Sequence, residues 1–252
     1  SRLWPLSRAD APKFLHDLTG SGNTLLRDTW DRLEPLAGAE RIAVVTGRAH
    51  RAAVEHELPD ILDRNVFLES EPRDSTAAIG LAAAVLARRE PDVVIGSFAA
   101  DHVIRVPHLF DWAVQQAVAV AREGYVCTIG IQPSEPSIGF GYMKKADELI
   151  VAGAPEAALV ERFVEKPDLD TAREYFADRS YLWNAGMFIA RADVLLGEIA
   201  ENRPQLYAGL MDLAEAWDDR DARGPVVDRV WPTLEKIAID YSVAEPAAEK
   251  GR

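Results

Sequence analysis

A single cysteine, Cys127, rules out an intrachain disulfide and any zinc site built from four thiolates. No apolar run approaches the roughly 20 residues that a membrane-crossing helix needs, and the first residues do not read as a charged-then-apolar leader. Basic residues are scarce: 28 Lys and Arg stand against 41 Asp and Glu, a formal net charge of −13. A surface of that sign repels polyanions, so nucleic acid is not an expected partner, and an anionic substrate needs a local cationic pocket. No G-x-G-x-x-G follows an expected strand, which argues against a dinucleotide-linked oxidoreductase. Internal repeats and low-complexity tracts are also missing. The expected setting is reducing and cytoplasmic, with no membrane partner.

What the sequence does hold is core material: 48% of its 252 residues are hydrophobic, enough for one large domain. Short β-branched runs at 41–47 (RIAVVTG), 92–97 (DVVIGS) and 125–131 (YVCTIGI) read as buried strands. Helical stretches at 75–89 and 107–123 lie between them, the second opened by Pro107 and closed by Gly124. Strands and helices alternating at this length predict βαβ units in an α/β, Rossmann-like fold, with a mostly parallel mixed sheet flanked by helices. From residue 139 the pattern changes to longer, more exposed strands (GFGYMKK, ALVERFVEK), then helices over about 168–178 and 192–217.

Several short segments carry chemistry. RLWPLSR (2–8) and APKFL (11–15) gather Arg2, Arg8 and Lys13 on a proline-punctuated stretch that cannot be one helix. Such a cluster suits a polyphosphate, or is a solvated basic terminus. EPRDSTAAIGLAA (71–83) sits at a strand-to-helix junction, with Ser75 placed to cap the helix. In SFAADHVI (97–104), Asp101 follows a strand's carboxyl end, where open α/β sheets bind ligands; capping is the alternative, and His102 reads as structural. PSIGFGYM (136–143) puts two glycines around an aromatic residue, either a bend or a close backbone approach. In RFVEKP (162–167), Glu165 and Lys166 face opposite ways unless the strand breaks, and Pro167 predicts that break. Asn184 of WNAGMF (183–188) offers a donor and an acceptor, matching a vicinal diol. IAIDYSVAE (237–245) contributes Asp240.

Together these segments resemble the sugar-1-phosphate nucleotidylyltransferases, of nucleotide-diphospho-sugar transferase fold type, over nearly the whole sequence. W-P-L-S-R is similar to the mannose-1-phosphate guanylyltransferase branch, and F-V-E-K-P followed by W-N-A-G-M-F to hexose-1-phosphate members. The resemblance implies GTP and mannose 1-phosphate as substrates, GDP-mannose as product and Mg²⁺ as cofactor. It implies that Arg2 grips the leaving pyrophosphate, that Lys13 contacts phosphate, and that Glu71 and Arg73 lie at the guanine pocket. Asp101 is the implied metal ligand, with a second acidic ligand expected from a later strand that none of these segments supplies. Gly141, Tyr142, Glu165, Lys166 and Asn184 are the implied sugar-site residues; Asp240 is near the sugar or structural. Arg2, Lys13 and Lys166 are the implied catalytic cations, with no nucleophile–base pair required. One domain is expected over 1–252, with a nucleotide-binding half (1–135) and a sugar-binding half (136–252), incomplete at both ends. A catalytically silent GDP-mannose-binding regulatory paralogue and an enzyme for another hexose 1-phosphate remain open, as does a homodimer.

Overall fold

Thr24 starts the first long helix: its hydroxyl accepts from Arg27 N–H, and α1 (Leu25–Ala37) follows. The computed structural model describes Arg8 and residues 12–252, so Arg2 lies outside the described residues. After α1 come β1 (Val44–Gly47), α2 (Arg51–Glu57), β2 (Val66–Glu69), α3 (Asp74–Arg89), β3 (Val94–Ser97), α4 (Pro107–Arg122) and β4 (Cys127–Ile131). The second half adds β5 (Tyr142–Glu148), β6 (Ala158–Val164), α5 (Leu169–Ala177), β7 (Tyr181–Arg191), α6 (Ala192–Asn202), α7 (Pro204–Ala216), α8 (Arg220–Val230) and α9 (Glu245–Glu249). Pro107 occupies the first turn of α4 and Gly124, at φ +92°, turns the chain out of it, as expected. The helix expected over 192–217 is broken at Arg203, because Pro204 disfavours helical backbone in the residue before it.

The α/β architecture is as expected, with a correction to how its strands pair. β1 and β2 form a parallel pair. In the five-stranded sheet β7 runs antiparallel to β3, β4 and β5, and β6 antiparallel to β5. β3, β4 and β5 therefore share one direction, but β7 sits between β3 and β4 and removes their direct parallel pairing. Hydrophobic patterning marks a buried strand without marking its direction, which is why the sequence does not show this.

One core cluster joins Phe67 and Leu81 to Ile199, Leu210, Trp217, Trp231 and Val243, so early and late segments share their apolar interior. Each fully buried large side chain of this kind stabilises the fold by about 1.5–3 kcal/mol. Gly80 allows α3 to meet α6 and α7: a Cβ there would lie 2.6 Å from Leu210 Cδ1 and 3.2 Å from Ile199 Cδ1. Between β1 and β3 lies a cavity of about 1600 Å³, walled by both strands and by Trp30 and Leu33 of α1 and Ala78, Ile79 and Ala82 of α3. Among the described residues, no helix is long and apolar enough to cross a membrane.

Candidate active site

Asp240 becomes part of the site because its segment is stapled to the start of α3. Thr76 N–H donates to Ile237 O (3.2 Å), Ile239 N–H donates to Ser75 Oγ (2.9 Å), and the Thr76 and Ser242 hydroxyls meet at 2.8 Å. Ser75 thus holds Ile239 instead of capping the helix, a correction to the expectation; Asp74, at φ +67°, accepts from Ser75 N–H. Asp240 opens a short π-helical turn, Asp240–Ala244, an irregularity that recurs at functional positions. Its carboxyl is pushed above the usual range, first by burial and then by the nearby Glu165, with Lys166 opposing.

The ends of β5, β6 and β7 bring the sugar-site candidates to the same place. After β6, Lys166 takes a left-handed backbone (φ +46°), which turns it onto the side of Glu165, and the two form an ion pair. The break expected from Pro167 is what puts both charges on one side. The Glu165 side chain is only 9% exposed, and its contact holds the Lys166 ammonium above its ordinary pKa. Gly141 makes room for that carboxylate: an added Cβ would lie 2.6 Å from Glu165 Oε2 and 3.6 Å from Asn184 Cβ. Gly141 O also accepts from Asn184 N–H at 2.8 Å.

Asn184 itself lies where β7 bulges. Thr128 pairs with Phe188 and Gly130 with Asn184, so β7 carries two extra residues over this stretch, and Gly186 takes φ +67°. Asn184 Oδ1 accepts from Thr128 Oγ1–H (2.6 Å) and from Gly186 N–H (2.9 Å), while Nδ2 donates to Asp240 Oδ1 (3.0 Å). The acceptor half of the amide is therefore committed inside the protein, and only an N–H is left for a ligand, which corrects the diol-matching expectation. Tyr142 needs correction too. It is fully buried, and its hydroxyl donates to Ser137 O and accepts from Ser137 N–H, both at 3.0 Å. It braces the 136–141 loop instead of facing a ligand.

On the other wall, Asp101 lies on the turn after β3 with its side chain 19% exposed, ion-paired with Lys13. Asp101 and Asp240 line the same cavity. His102, beside Asp101, is held below its ordinary pKa by burial and by Arg32 and Lys13, which fits a neutral structural imidazole. Among the described residues, no hydrogen bond or ion pair joins Glu71 or Arg73 to this group. The Arg73 guanidinium donates to Leu234 O (3.1 Å), Pro232 O and Glu71, and Trp231 Nε1–H donates to Glu71 O (2.7 Å). They tether the loop after β2 to residues 231–234, so the expected guanine role of Arg73 needs a guanidinium that the structure commits elsewhere. Glu69, which no motif marks, ends β2 with its carboxyl pushed up to about 7 by burial; its only sequence signal is an acid at a strand's carboxyl end.

Comparison with known proteins gives a consistent result. The profile of the nucleotidyl transferase family matches residues 1–223. The xanthan biosynthesis protein XanB of Xanthomonas campestris pv. campestris (strain B100) is 37% identical over 99% of this chain and 52% of its own length. A mannose-1-phosphate guanylyltransferase of Klebsiella pneumoniae is 35% identical over 99% of this chain and 53% of its own. A crystal structure from Thermus thermophilus, described as a mannose-1-phosphate geranyltransferase, superposes with a TM-score of 0.83 at 30% identity, covering 98% of this chain and 68% of that one. The chain spans about half the length of the curated relatives it matches.

Proposed function

This chain belongs to the nucleotidyl transferase family, and from that premise we propose that it transfers GMP from GTP to mannose 1-phosphate, giving GDP-mannose and pyrophosphate. The observation that carries the proposal is convergence: Glu165, Lys166 and Asn184 gather around Asp240, Gly141 lies against Glu165 and Asn184, and Asp240 shares a cavity with Asp101. The nucleophile is a phosphate oxygen that is already anionic, so no general base is needed, in keeping with a site of cations and carboxylates. Lys166 meets the sugar phosphate once Glu165 turns to the sugar hydroxyls. Lys13, released from Asp101, meets the phosphates of GTP, and Arg2 is assigned to the leaving pyrophosphate. Their combined work is positioning and charge neutralisation along the line of attack.

Mg²⁺ fits the residues present. Among the described residues no group of three or more His, Cys, Asp or Glu side chains could hold a metal alone. Mg²⁺ does not require one: it keeps several waters and binds through one or two carboxylates plus substrate phosphates. Asp101 and Asp240 would hold it, Asp240 being a buried carboxyl under pressure from Glu165 that a cation would relieve. Asp240 would thereby be the later acidic ligand that the sequence reading left unsupplied, offered by a π-helical turn instead of a strand. When bound, the ion supplies charge neutralisation on the transferring phosphoryl oxygens.

The test is a substrate panel in the chain's full natural context, pairing each nucleoside triphosphate with each hexose 1-phosphate and following pyrophosphate release. The expected result is Mg²⁺-dependent release with GTP and mannose 1-phosphate, lost in Asp101→Asn. Tight GDP-mannose binding without turnover of any pair would favour a regulatory binding protein, and preference for another pair would replace the substrates named here.

A further inference from the structure

The bulge in β7 has a partner outside the motifs. Thr128, on the adjacent strand β4, reaches across the irregular stretch and places its hydroxyl 2.6 Å from Asn184 Oδ1. We propose that Thr128 is a positioning residue of the sugar end of the site: its hydroxyl locks the Asn184 amide so that one N–H holds Asp240 and the other faces the ligand. This inference rests on the function proposed above.

The hydrogen-bond chemistry leaves one consistent arrangement. Gly186 N–H can only donate, so the atom it meets at 2.9 Å must be the amide oxygen. The amide nitrogen then faces Asp240 Oδ1 at 3.0 Å, where it is needed as a donor. Thr128 must therefore donate to Oδ1, and both lone pairs of that oxygen are filled. The ladder between β4 and β7 is interrupted here, between Thr128–Phe188 and Gly130–Asn184, so side-chain bonds hold the strands where ladder bonds would. A rotated amide would set donor against donor at Gly186 and acceptor against acceptor at Asp240. Without the Thr128 hydroxyl, one lone pair of Oδ1 is freed and the amide loses its lateral hold, so both its ligand-facing N–H and its grip on Asp240 loosen.

Valine matches threonine in shape, so Thr128→Val removes the hydroxyl and keeps the packing, whereas Thr128→Ser keeps the hydroxyl. Calorimetric titration of GDP-mannose and of GDP, in EDTA and in the full chain, isolates the sugar end. Thr128→Val should weaken GDP-mannose binding roughly 2- to 12-fold, the worth of one neutral hydrogen bond, with GDP unchanged and Thr128→Ser close to wild type. In parallel, the Asn184 side-chain amide resonances, assigned by their loss in Asn184→Ala, should move toward free-amide positions in Thr128→Val only. Equal weakening of both ligands, or unchanged GDP-mannose affinity with unmoved Asn184 resonances, would overturn the proposal. A wild-type protein that gains no affinity from the mannosyl group would instead refute the function, while the resonances would still decide whether Thr128 locks the amide.

Discussion

Gly141→Ala should separate the site from the fold. A methyl group there lies 2.6 Å from Glu165 Oε2, 3.3 Å from Phe163 Cζ and 3.6 Å from Asn184 Cβ. The last two contacts need a small adjustment at most, but the carboxylate must move. It is the end of a flexible side chain, so its displacement costs about 0.5–1.5 kcal/mol as rotamer strain. Gly141 does not have positive φ, so alanine also recovers about 0.4–1 kcal/mol by restricting the unfolded chain. Net stability should therefore stay within about 1 kcal/mol of wild type. Function should not be spared, because the displaced carboxylate leaves Lys166 and the sugar hydroxyls it is assigned to meet. Loss of one charge-assisted contact is worth about 1.5–3 kcal/mol, or roughly 10- to 150-fold in efficiency. Urea melts give the first quantity, and initial rates with mannose 1-phosphate varied at saturating GTP, then the reverse, give the second. The expected pattern is a raised sugar-phosphate requirement, an unchanged GTP requirement and a near-normal melt. Wild-type kinetics would refute the placement of Glu165 at the substrate, and a melt weakened by about 3 kcal/mol or more, the scale of a core defect, would make the close approach structural.

Three further outcomes follow from other features. Burial holds the Glu69 carboxyl at about 7 against an ordinary 4.5, so the folded state binds this proton more tightly than the unfolded chain, and stability is lost as pH rises from about 4.5 through 7. Glu69→Gln should then stabilise by about 1–2 kcal/mol at pH 8, after discounting for partial exposure, and by almost nothing at pH 4; equal gains at both pH values in thermal melts would contradict it. Exchanging Asn184→Asp and Asp240→Asn together keeps a hydrogen bond between the two residues but moves the negative charge. If Asp240 faces Mg²⁺ as a carboxylate, losing that charge-assisted contact should raise the Mg²⁺ requirement roughly 10- to 150-fold, and an unchanged requirement would make Asp240 structural. Burial pushes the Cys127 thiol up to about 12 from 9.0, leaving about a thousandfold fewer thiolates at pH 8. Maleimide labelling should be correspondingly slow until urea is added, and fast native labelling would contradict the raised thiol pKa of this half-buried side chain.

The parts of the site legible in the sequence were those fixed by local chemistry. Pro167 announced the break that puts Glu165 and Lys166 on one side, and Gly141 announced a close approach. What stayed hidden depended on contacts between distant segments. Tyr142, beside two glycines, looks like a ligand platform, yet packing against Tyr175 and Trp183 buries it. Arg73 looks like a free cation until residues 231–234 fold over it. Asp240 shows its relation to Asp101 only after Ser75 and Thr76 capture the segment around it. The acceptor of Asn184 looked available because the β7 bulge that claims it is set by Gly186 and by Thr128 on another strand. The direction of β7 is likewise a property of the assembled sheet, not of its own eleven residues.

Phosphorus NMR of the full-length protein with GTP, mannose 1-phosphate and Mg²⁺ follows the proposed guanylyl transfer itself. The mannose 1-phosphate and GTP signals should fall together while pyrophosphate and the paired diphosphate resonances of GDP-mannose rise in equal amounts, and added pyrophosphate should reverse the change. Inorganic phosphate and GDP appearing in their place, or unchanged signals from a protein that still binds GDP-mannose, would contradict it.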